Sequence, residues 1–442
     1  MILIKNGHIV TMNKNKDQFV GDILIDGNKI KKIAKKIDKK VDKVIDATGK
    51  VVIPGLIQTH IHLTQTLFRG QADDMELMPW LRERIWPLEG SHTAESNYVS
   101  AKLGIAELIK GGTTAIIDMA TVNHTDKVME AVEETGFRAM VGKCMMDYGN
   151  ADKRLMEQTN ESIQESVRLL EKWHGAANGR ITYAFAPRFV VSCTEELLMR
   201  VKELSEKYNV SIHTHASENK GEIAIVERMH GLRNIEYLHK IGLTGENLIL
   251  AHCIWLDENE MKIVADTKTK VVHCPSSNLK LASGIAKIPE LLEMGAEISL
   301  GADGAPCTNN LDMFTEMRNT SLLQKARLLS PTVMPAETVF EMATINGAKA
   351  MNKESEIGSL EEGKLADIVI VNQNNIHSSP TAGIDVIANL VYSTRASDVE
   401  TTIVDGKILM EDRKLTTIDE ETLIIDANRI IEEQVVNSGI TK

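Results

Sequence analysis

Two histidines separated by one residue, His60 and His62, end an apolar run that begins at Val52 and is interrupted by Pro54 and Gly55. In a β-strand, residues i and i+2 point to the same face, so both imidazoles can reach one point from the end of a single strand. The run is almost continuously apolar, as expected for a strand that is buried on both faces of a parallel sheet. Because neutral imidazole binds zinc and iron well, this pattern predicts a metal site at the strand end.

Other polar residues end apolar segments further along the chain. They lie at 213–218, 252–253, 273–275 and 301–304, and include His213, His215, His252 and Asp303. One such histidine is commonly a hydrogen-bonded core residue, but several on one rim are typical of a catalytic metal site. The segment that ends at Arg188 offers no lysine or acid to bridge a second ion, which favours a single metal.

The elements that would position these residues form a regular pattern. Strand-length apolar runs alternate with helical patterns, and we place strands at 53–59, 113–118, 138–142, 181–185, 210–215, 248–252, 270–273 and 297–301. Eight alternations predict an α/β fold with a (β/α)8 TIM-like barrel, whose active site lies at the carboxyl ends of the strands. One helix is expected to begin after Thr194, which is a suitable N-cap.

The two ends of the chain have a different pattern, with short alternating strands and glycine-rich turns. Neither end alone has enough strands to bury a face, so we expect them to pair. We predict a small β-sandwich domain from residues 1–52 and 358–442, and a metal-dependent barrel domain from residues 53–357. Residues 399–409 read as two strands joined by an Asp-Gly turn.

Composition limits the classes of partner. The chain has 442 residues with a formal net charge of -12, which disfavours nucleic acid, and its five cysteines are scattered without a C-x-x-C motif. We see no signal peptide and no membrane-spanning stretch, so we expect a cytoplasmic protein with reduced thiols. A small-molecule substrate is the expected partner, with no nucleic acid and no membrane. A homo-oligomer is also compatible with this sequence.

Several of these segments resemble the amidohydrolase superfamily. The resemblance rests on the His60 and His62 pair, the 213–218 segment, His252 and the 299–304 segment. More narrowly, residues 66–70, 72–74, 80–81 and 85–89 resemble the branch that holds the 5'-methylthioadenosine/S-adenosylhomocysteine deaminases and the triazine hydrolases. The similarity covers nearly the whole chain, including the strand-rich ends and residues 358–367.

The resemblance implies one divalent metal ion per chain, with Zn²⁺ preferred and Fe²⁺ as the alternative. Its ligands would be His60, His62, His215 and Asp303. By spacing alone, His213 is equivalent to His215, whereas the resemblance places the ligand three residues before Glu218. Such a metal brings the pKa of bound water toward neutrality.

The resemblance also implies three catalytic roles. Glu218 would protonate the ring nitrogen beside the attacked carbon and later help the amine to leave. Asp303 would take the proton of the attacking water, and His252 would orient or stabilise the developing hydroxyl. Glu218 and Asp303 would therefore contact the substrate.

Residues 62–89 form the predicted substrate wall. By resemblance, Glu89 binds the ribose hydroxyls and Trp80 is a pocket wall, whereas Trp86 fits either the wall or the core. Arg188 stands where many methylthioadenosine deaminases have a histidine, and together with Gln65 it resembles guanine deaminases. Arginine offers only donors, so Arg188 would contact a ring nitrogen, a carbonyl oxygen or a charged tail.

Three functions follow from these residues. The first is hydrolytic deamination of a 6-aminopurine nucleoside such as 5'-methylthioadenosine or S-adenosylhomocysteine, with release of ammonia. The alternative within the same enzyme class is a guanine, oxopurine or s-triazine aminohydrolase that acts on a free base. A barrel that binds a metabolite without turnover is the third, but it has no need for Glu218, His252 and Asp303 together.

Overall fold

Strands from both ends of the chain flank a central series of alternating strands and helices in the computed structural model, which describes residues 1–440. The strands are β1 (Ile2–Val10), β2 (Gln18–Asp26), β3 (Lys29–Ala34), β4 (Lys43–Asp46), β5 (Val51–Pro54), β6 (Leu56–Ile61), β7 (Thr113–Met119), β8 (Arg138–Gly142), β9 (Cys144–Met145), β10 (Ile181–Tyr183), β11 (Ala186–Pro187), β12 (Ile212–Ala216), β13 (Leu248–His252), β14 (Lys270–His273), β15 (Ile298–Leu300), β16 (Ile368–Val371), β17 (Val399–Val404), β18 (Lys407–Glu411) and β19 (Lys414–Leu415).

The α-helices are α1 (Leu77–Trp80), α2 (Trp86–Gly90), α3 (Ala94–Lys110), α4 (Thr125–Thr135), α5 (Thr159–Trp173), α6 (Ala176–Gly179), α7 (Glu195–Tyr208), α8 (Lys220–His230), α9 (Asn234–Lys240), α10 (Glu258–Asp266), α11 (Pro275–Lys280), α12 (Ile288–Glu293), α13 (Ala305–Thr308), α14 (Met313–Leu328), α15 (Ala336–Met342), α16 (Ile345–Ala350), α17 (Val386–Tyr392) and α18 (Glu420–Ser438). A π-helical turn, Leu81–Ile85, joins α1 to α2, and a 3₁₀ turn, Leu63–Phe68, follows β6. None of the helices within residues 1–440 combines the length and apolar character needed to cross a bilayer.

The two chain ends pair as expected. Nine strands form one continuous hydrogen-bonded sheet, because β5 pairs parallel with β1 and antiparallel with β16. One face of this sheet carries its own apolar cluster, which includes Ile4, Ile23, Val52, Ile368 and Ile403. The sandwich packing of this sheet and the domain boundaries at residues 52 and 358 stay predictions.

The central strands form two four-stranded parallel sheets, ordered β10-β8-β7-β6 and β12-β13-β14-β15. Backbone hydrogen bonds join them at both sides. The amide of Asp303 donates to the carbonyl of His60 at 3.0 Å, and the amide of His213 donates to the carbonyl of Phe185 at 2.8 Å. Closure of the eight strands into a full barrel stays a prediction.

The first predicted barrel strand, 53–59, is wrong in its bounds. The chain makes two strands there, β5 in the end sheet and β6 in the central sheet, with a break at Gly55. A Cβ atom at Gly55 would lie 1.9 Å from Oγ1 of Thr114, so only glycine lets the chain pass between the two sheets. As a result β6 extends to Ile61 and includes His60.

Other sequence predictions of local structure hold with shifted ends. The fourth, fifth and eighth strands are shorter or displaced, as β10, β12 and β15 show. Helix α7 begins after Thr194, whose hydroxyl accepts the amide of Leu197 at 3.1 Å. The Asp405-Gly406 turn between β17 and β18 has positive φ at both residues, as a tight hairpin turn requires.

A buried ion pair connects the central sheet to the end sheet. Arg138, the first residue of β8, donates from Nε to Oδ2 of Asp367 at 2.8 Å and from Nη2 to Oδ1 at 3.1 Å. The backbone amide of Asp405 donates to the same Oδ1 at 2.8 Å. Since the Arg138 side chain is only 1% exposed, the Asp367 carboxylate depends on these donors rather than on water.

We expect Arg138→Met to lower the free energy of unfolding by about 3–5 kcal/mol, because it leaves the Asp367 carboxylate buried without its cation. Chemical denaturation followed by circular dichroism would measure this change. Arg168→Met is the control, since Arg168 pairs with Asp126 on the surface, where an ion pair contributes about 1 kcal/mol or less. Equal losses in the two variants would contradict the prediction.

Candidate active site

Four predicted ligands converge at one end of the two central sheets. His60 lies in β6 and His62 just beyond it, His215 lies in β12, and Asp303 follows β15. Nε2 of His60 and Nε2 of His62 lie 3.4 and 3.3 Å from Oδ1 of Asp303, and Nε2 of His62 lies 3.3 Å from Nε2 of His215. The donor atoms of the three histidines lie within 4.8 Å of one another, as do those of His60, Asp303 and His252.

Backbone carbonyls determine which ring nitrogen is free in two of these histidines. Nδ1 of His62 donates to the carbonyl of Met119 at 2.8 Å, and Nδ1 of His215 donates to the carbonyl of Arg188 at 2.7 Å. A carbonyl can only accept, so the proton sits on Nδ1 and the lone pair on Nε2 points to the cluster. Burial lowers the pKa of His62 and lowers the pKa of His215 further, so both rings are neutral.

His60 is the third histidine of the cluster, and its contacts show that His215 belongs to the cluster and His213 does not. Nδ1 of His60 lies 2.9 Å from Nε2 of His213, whereas Nε2 of His60 is buried and has no hydrogen-bond partner among residues 1–440. Burial lowers the pKa of His60 to about 4, which leaves a neutral ring. Three neutral imidazoles and a carboxylate fit a divalent zinc-type ion, and such an ion would give the unpaired buried Nε2 of His60 a partner. His213 lies behind His60 and does not share in the cluster.

Asp303 is held in place through both carboxylate oxygens. The Ser277 hydroxyl donates to Oδ2 at 2.6 Å, and the amide of Gly304 donates to Oδ1 at 2.7 Å. Burial alone would raise the pKa of Asp303, but the neighbouring histidines, including His252 with its raised pKa, hold it well below its usual range. The site therefore contains one buried negative charge among neutral rings.

Strained backbone accompanies several of these residues. Positive φ angles occur at Ser217 (54°), His252 (73°), Cys253 (48°) and Asp303 (69°). Non-glycine residues seldom adopt this region, and the cost of such conformations is of order 1–3 kcal/mol each. Gly301 adds a close approach, since a Cβ there would lie 2.7 Å from the backbone of His60.

Glu218 and His252 form an acid–base pair next to the cluster. Oε2 of Glu218 lies 3.6 Å from Nε2 of His252, and Oε1 is buried without a partner among residues 1–440. Burial raises the pKa of Glu218 to about 7, although His252 opposes the shift. Nδ1 of His252 lies 2.9 Å from the amide oxygen of Asn278, and the Glu218 carboxylate raises the pKa of His252 against the effect of burial.

A second buried cluster contains Glu89, Arg188 and Gln65. Arg188 donates from Nη1 to Oε2 of Glu89 at 2.6 Å and from Nη2 to Oε1 at 3.4 Å, and Nε2 of Gln65 donates to Oε1 at 2.8 Å. Burial would raise the pKa of Glu89, but the charge of Arg188 lowers it, so the carboxylate is ionised. Arg188 is therefore already paired within the chain.

The two clusters meet at a small, partly open cavity. Its volume is about 30 Å³. It is lined by His62, Gln65, Leu77, Trp80, Leu81, Arg188, Phe189, His215, Glu218, His252, Leu281, Asp303 and Cys307. Residues 77–90, which we call the cap, contribute Trp80 as a wall, while Trp86 is buried outside this cavity. Glu89 lies behind Arg188 and Gln65 and does not line it.

Some residues of the site were missed by sequence reasoning. Ser277 and Asn278, on α11, hold Asp303 and His252, and the only sequence signal was their position just after the seventh strand. Phe189 and Leu281 line the cavity, but as apolar residues they carried no signal at all. His273, which also ends a strand, is buried apart from the cluster, with neither ring nitrogen hydrogen-bonded within residues 1–440.

Comparison with known proteins agrees with this geometry. The Amidohydrolase family profile matches residues 51–409. A 5'-deoxyadenosine deaminase of Methanobrevibacter smithii is 44% identical over 433 residues, which cover 98% of each chain. A 5-methylthioadenosine/S-adenosylhomocysteine deaminase of Thermococcus onnurineus is 43% identical over 414 residues, 94% of this chain and 95% of that one.

A solved structure shows the same fold. The crystal structure of an adenosine deaminase from Xanthomonas campestris, which contains bound zinc, superposes with a TM-score of 0.93 at 29% identity and covers 98% of both chains. This similarity indicates a TIM-like barrel with a small additional domain, as the sequence predicted. The family profile and the deaminase relatives together show that the chain belongs to the amidohydrolase family and is a hydrolase that acts on a carbon–nitrogen bond.

Proposed function

We propose that the protein is a metal-dependent aminohydrolase of 6-aminopurine nucleosides with an uncharged or extended 5' group, such as 5'-deoxyadenosine, 5'-methylthioadenosine or S-adenosylhomocysteine. One observation carries the proposal. A metal-type ligand cluster and a Glu218–His252 pair share one cavity with the Arg188 and Gln65 side chains that hold the ionised Glu89. The names of the relatives support an adenosine-like substrate.

His60, His62, His215 and Asp303 would hold the ion through three Nε2 atoms and Oδ1. When bound, a divalent cation supplies a Lewis acid that makes hydroxide available near neutral pH. Zn²⁺ suits this donor set, and Fe²⁺ is the alternative.

Glu218 is suited to move protons at the ring. Because its pKa is about 7, it is partly protonated at neutral pH and can give a proton to the ring nitrogen beside the amino-bearing carbon. Its unpaired Oε1 is the atom available for that transfer. Asp303 is ionised and can accept a proton from the attacking water. The new C–O bond replaces the C–N bond, and the amine leaves as ammonia.

His252 supports this chemistry from the opposite side. With Nδ1 directed to Asn278, its Nε2 faces Glu218 and the cavity. A protonated Nε2 can donate to the oxygen that develops negative charge on the substrate. The ring therefore orients the reacting oxygen and stabilises the charged form of Glu218.

The Glu89 cluster is suited to a ribose. Each carboxylate oxygen has two acceptor positions, and Oε2 of Glu89 accepts only from Arg188, whereas Oε1 accepts from Gln65 and, at 3.4 Å, from Arg188. One acceptor position therefore remains on Oε2 for a ribose hydroxyl, and the long Arg188 contact to Oε1 is the one that a second hydroxyl would replace. Glu89 lies behind the cavity wall, and the cavity is much smaller than a nucleoside. Substrate entry would therefore require the cap and the Gln65 side chain to move.

The structure weakens the free-base alternative. Arg188 suggested an oxopurine because a guanidinium needs an acceptor, and Glu89 supplies that acceptor within the chain. Arg188 then has no need of a substrate carbonyl group. Leu77, Leu81 and Phe189 provide apolar walls of the kind that suit a flat ring or an apolar 5' group.

An ammonia-release assay tests the proposal. We expect 5'-deoxyadenosine and 5'-methylthioadenosine to exceed adenine, guanine and a triazine in kcat/KM by about 1000-fold or more, because a site built for polar partners discriminates strongly. Glu89→Gln should lower kcat/KM for the nucleosides by about 100-fold without a matching loss for adenine. A wild-type preference for guanine or another free base would overturn the nucleoside proposal.

Metal analysis tests the ligand set. We expect about one divalent ion per chain in the purified protein and almost none in His60→Ala, whose lost nitrogen is buried and central to the cluster. His239→Ala is the matched control, because His239 is outside the cluster and bonded to Thr244. Chelation should abolish activity but leave the circular dichroism spectrum unchanged, since the large apolar core does not need a metal to fold. Two ions per chain would contradict the ligand set.

The proton role of Glu218 is separable from metal binding. We expect Glu218→Gln to retain the metal and to bind substrate while lowering kcat by about 100-fold or more, as when a positioned acid–base group is removed. Single-turnover kinetics with 5'-deoxyadenosine would measure this. Glu227→Gln on α8, which is exposed, serves as the control. Normal turnover by Glu218→Gln would assign the proton transfer to another group.

A further inference from the structure

The short helix α11 carries both residues that orient the acid–base groups of the site. The hydroxyl of Ser277 donates to Oδ2 of Asp303 at 2.6 Å. In the next residue, Asn278, the amide oxygen lies 2.9 Å from Nδ1 of His252. Because the two contacts come from consecutive residues of one helix, the position of α11 determines the positions of Asp303 and His252 together.

The amino-terminal end of α11 has no cap from its own segment. The helix begins at Pro275, which has no amide hydrogen, and the side chain of the preceding Cys274 caps no amide within residues 1–440. The first backbone amide that needs an acceptor is therefore that of Ser276. A donor left without an acceptor inside a protein costs about 1–3 kcal/mol, so another part of the chain has to supply one.

Glu316, on α14, supplies that acceptor. Its Oε2 accepts from the amide of Ser276 at 3.1 Å, and Asn319 on the same helix donates from Nδ2 to the Ser276 hydroxyl at 2.9 Å. The Glu316 side chain is fully buried, and its Oε1 has no hydrogen-bond partner among residues 1–440. A buried carboxyl group is unfavourable unless its polar atoms are used, and the contact that Glu316 makes is the cap of α11.

Glu316 holds α11 as an uncharged acid. Burial raises the pKa of Glu316 to about 8, and the hydrogen bonds with Ser276 offset this rise only in part. At neutral pH the carboxyl group is therefore mostly protonated, and it still accepts through its carbonyl oxygen. A neutral group adds no negative charge near Asp303, whose ionised form the proposed reaction needs.

The other end of α11 is fixed to the segment that follows Asp303. Nζ of Lys280 donates to the carbonyl of Pro306 at 2.8 Å, and it also contacts the side chains of Asn309 and Asp73. The helix is thus held at both ends, and its two contacts with the site lie between these anchors. We expect the loss of one anchor to let α11 shift while the fold is kept.

We propose that Glu316 is a positioning residue for the deamination, which places Asp303 and His252 through the helix α11. This inference rests on the proposed function, because it assigns Glu316 a part in that reaction. Within residues 1–440, Glu316 neither lines the cavity nor hydrogen-bonds to a metal ligand, so its effect on the rate passes through α11. A displacement of about 1 Å of a reacting group can cost about 100-fold in rate, so a small shift of α11 is measurable.

The test uses the ammonia assay with 5'-deoxyadenosine on the whole enzyme, with Zn²⁺ added to saturation because Asp303 is also a predicted metal ligand. Glu316→Met removes the acceptor, and we expect kcat to fall about 10- to 100-fold while KM stays within about twofold, because the reacting groups move and the ribose contacts remain. Glu316→Gln keeps an uncharged acceptor of the same size, so its kcat should lie within about threefold of wild type.

Gln324→Met is the matched control. Gln324 is also buried on α14, about two turns beyond Glu316, but it donates to the carbonyl of Ala286 at 2.9 Å and does not cap α11. We expect this variant to lose stability in chemical denaturation without a loss of kcat.

A double-mutant cycle separates positioning from a general loss of stability. In the background Ser277→Ala/Asn278→Ala, α11 no longer holds either reacting group, so Glu316→Met should lower kcat by less than about threefold further. If Glu316→Met does not fold, Asn319→Ala replaces it. That variant removes only the contact with the Ser276 hydroxyl, and we expect it to lower kcat by about 3- to 10-fold.

The outcomes separate the two proposals. If wild type deaminates the nucleoside and Glu316→Met, or Asn319→Ala in its place, has the wild-type kcat, the positioning role is wrong and the nucleoside function stands. The same conclusion follows if Glu316→Gln is as slow as Glu316→Met, if Gln324→Met loses as much kcat, or if the full loss persists in the Ser277→Ala/Asn278→Ala background. If wild type releases no ammonia from any nucleoside, the proposed function fails and the positioning role falls with it.

Discussion

The site depends on one constraint, the convergence of three imidazole nitrogens and one ionised carboxylate oxygen in a buried part of the chain. Backbone carbonyls of Met119 and Arg188 accept from Nδ1 of His62 and His215, so that Nε2 is free in each ring. Asp303 keeps its charge because the neighbouring histidines, His252 among them, and the Ser277 hydroxyl offset its burial. Neutral rings with fixed tautomers can accept a cation without first losing protons, which makes the cluster suited to a metal at neutral pH.

The backbone around this cluster adopts conformations that position the site residues but lower the local stability. His252 and Asp303 adopt positive φ, and Gly301 allows β15 to approach His60 too closely for a side chain. Such conformations persist only where the surrounding structure supports them. Here the support comes from the parallel sheets and from hydrogen bonds across the junction between β6 and the segment after β15.

The substrate side of the cavity is governed by a second buried pair. Glu89 and Arg188 neutralise each other, so neither is available as a free charge to a substrate. In the proposed function, recognition of the ribose therefore depends on the acceptor capacity that remains on Glu89.

The sequence by itself determined the periodic elements and the ligand types, because apolar alternation and strand-end histidines are local patterns. It predicted His60, His62, His215, Asp303, Glu218 and His252 as one group, and the structure brings them together. It misplaced the start of the first barrel strand, because the break at Gly55 is caused by contact with Thr114, which lies far away in the chain. Only the tertiary structure decided that His213 lies behind His60, that Arg188 is used by Glu89, and that Ser277 and Asn278 orient the site. Each of these features depends on contacts between side chains of different segments, and a local sequence pattern does not predict such contacts.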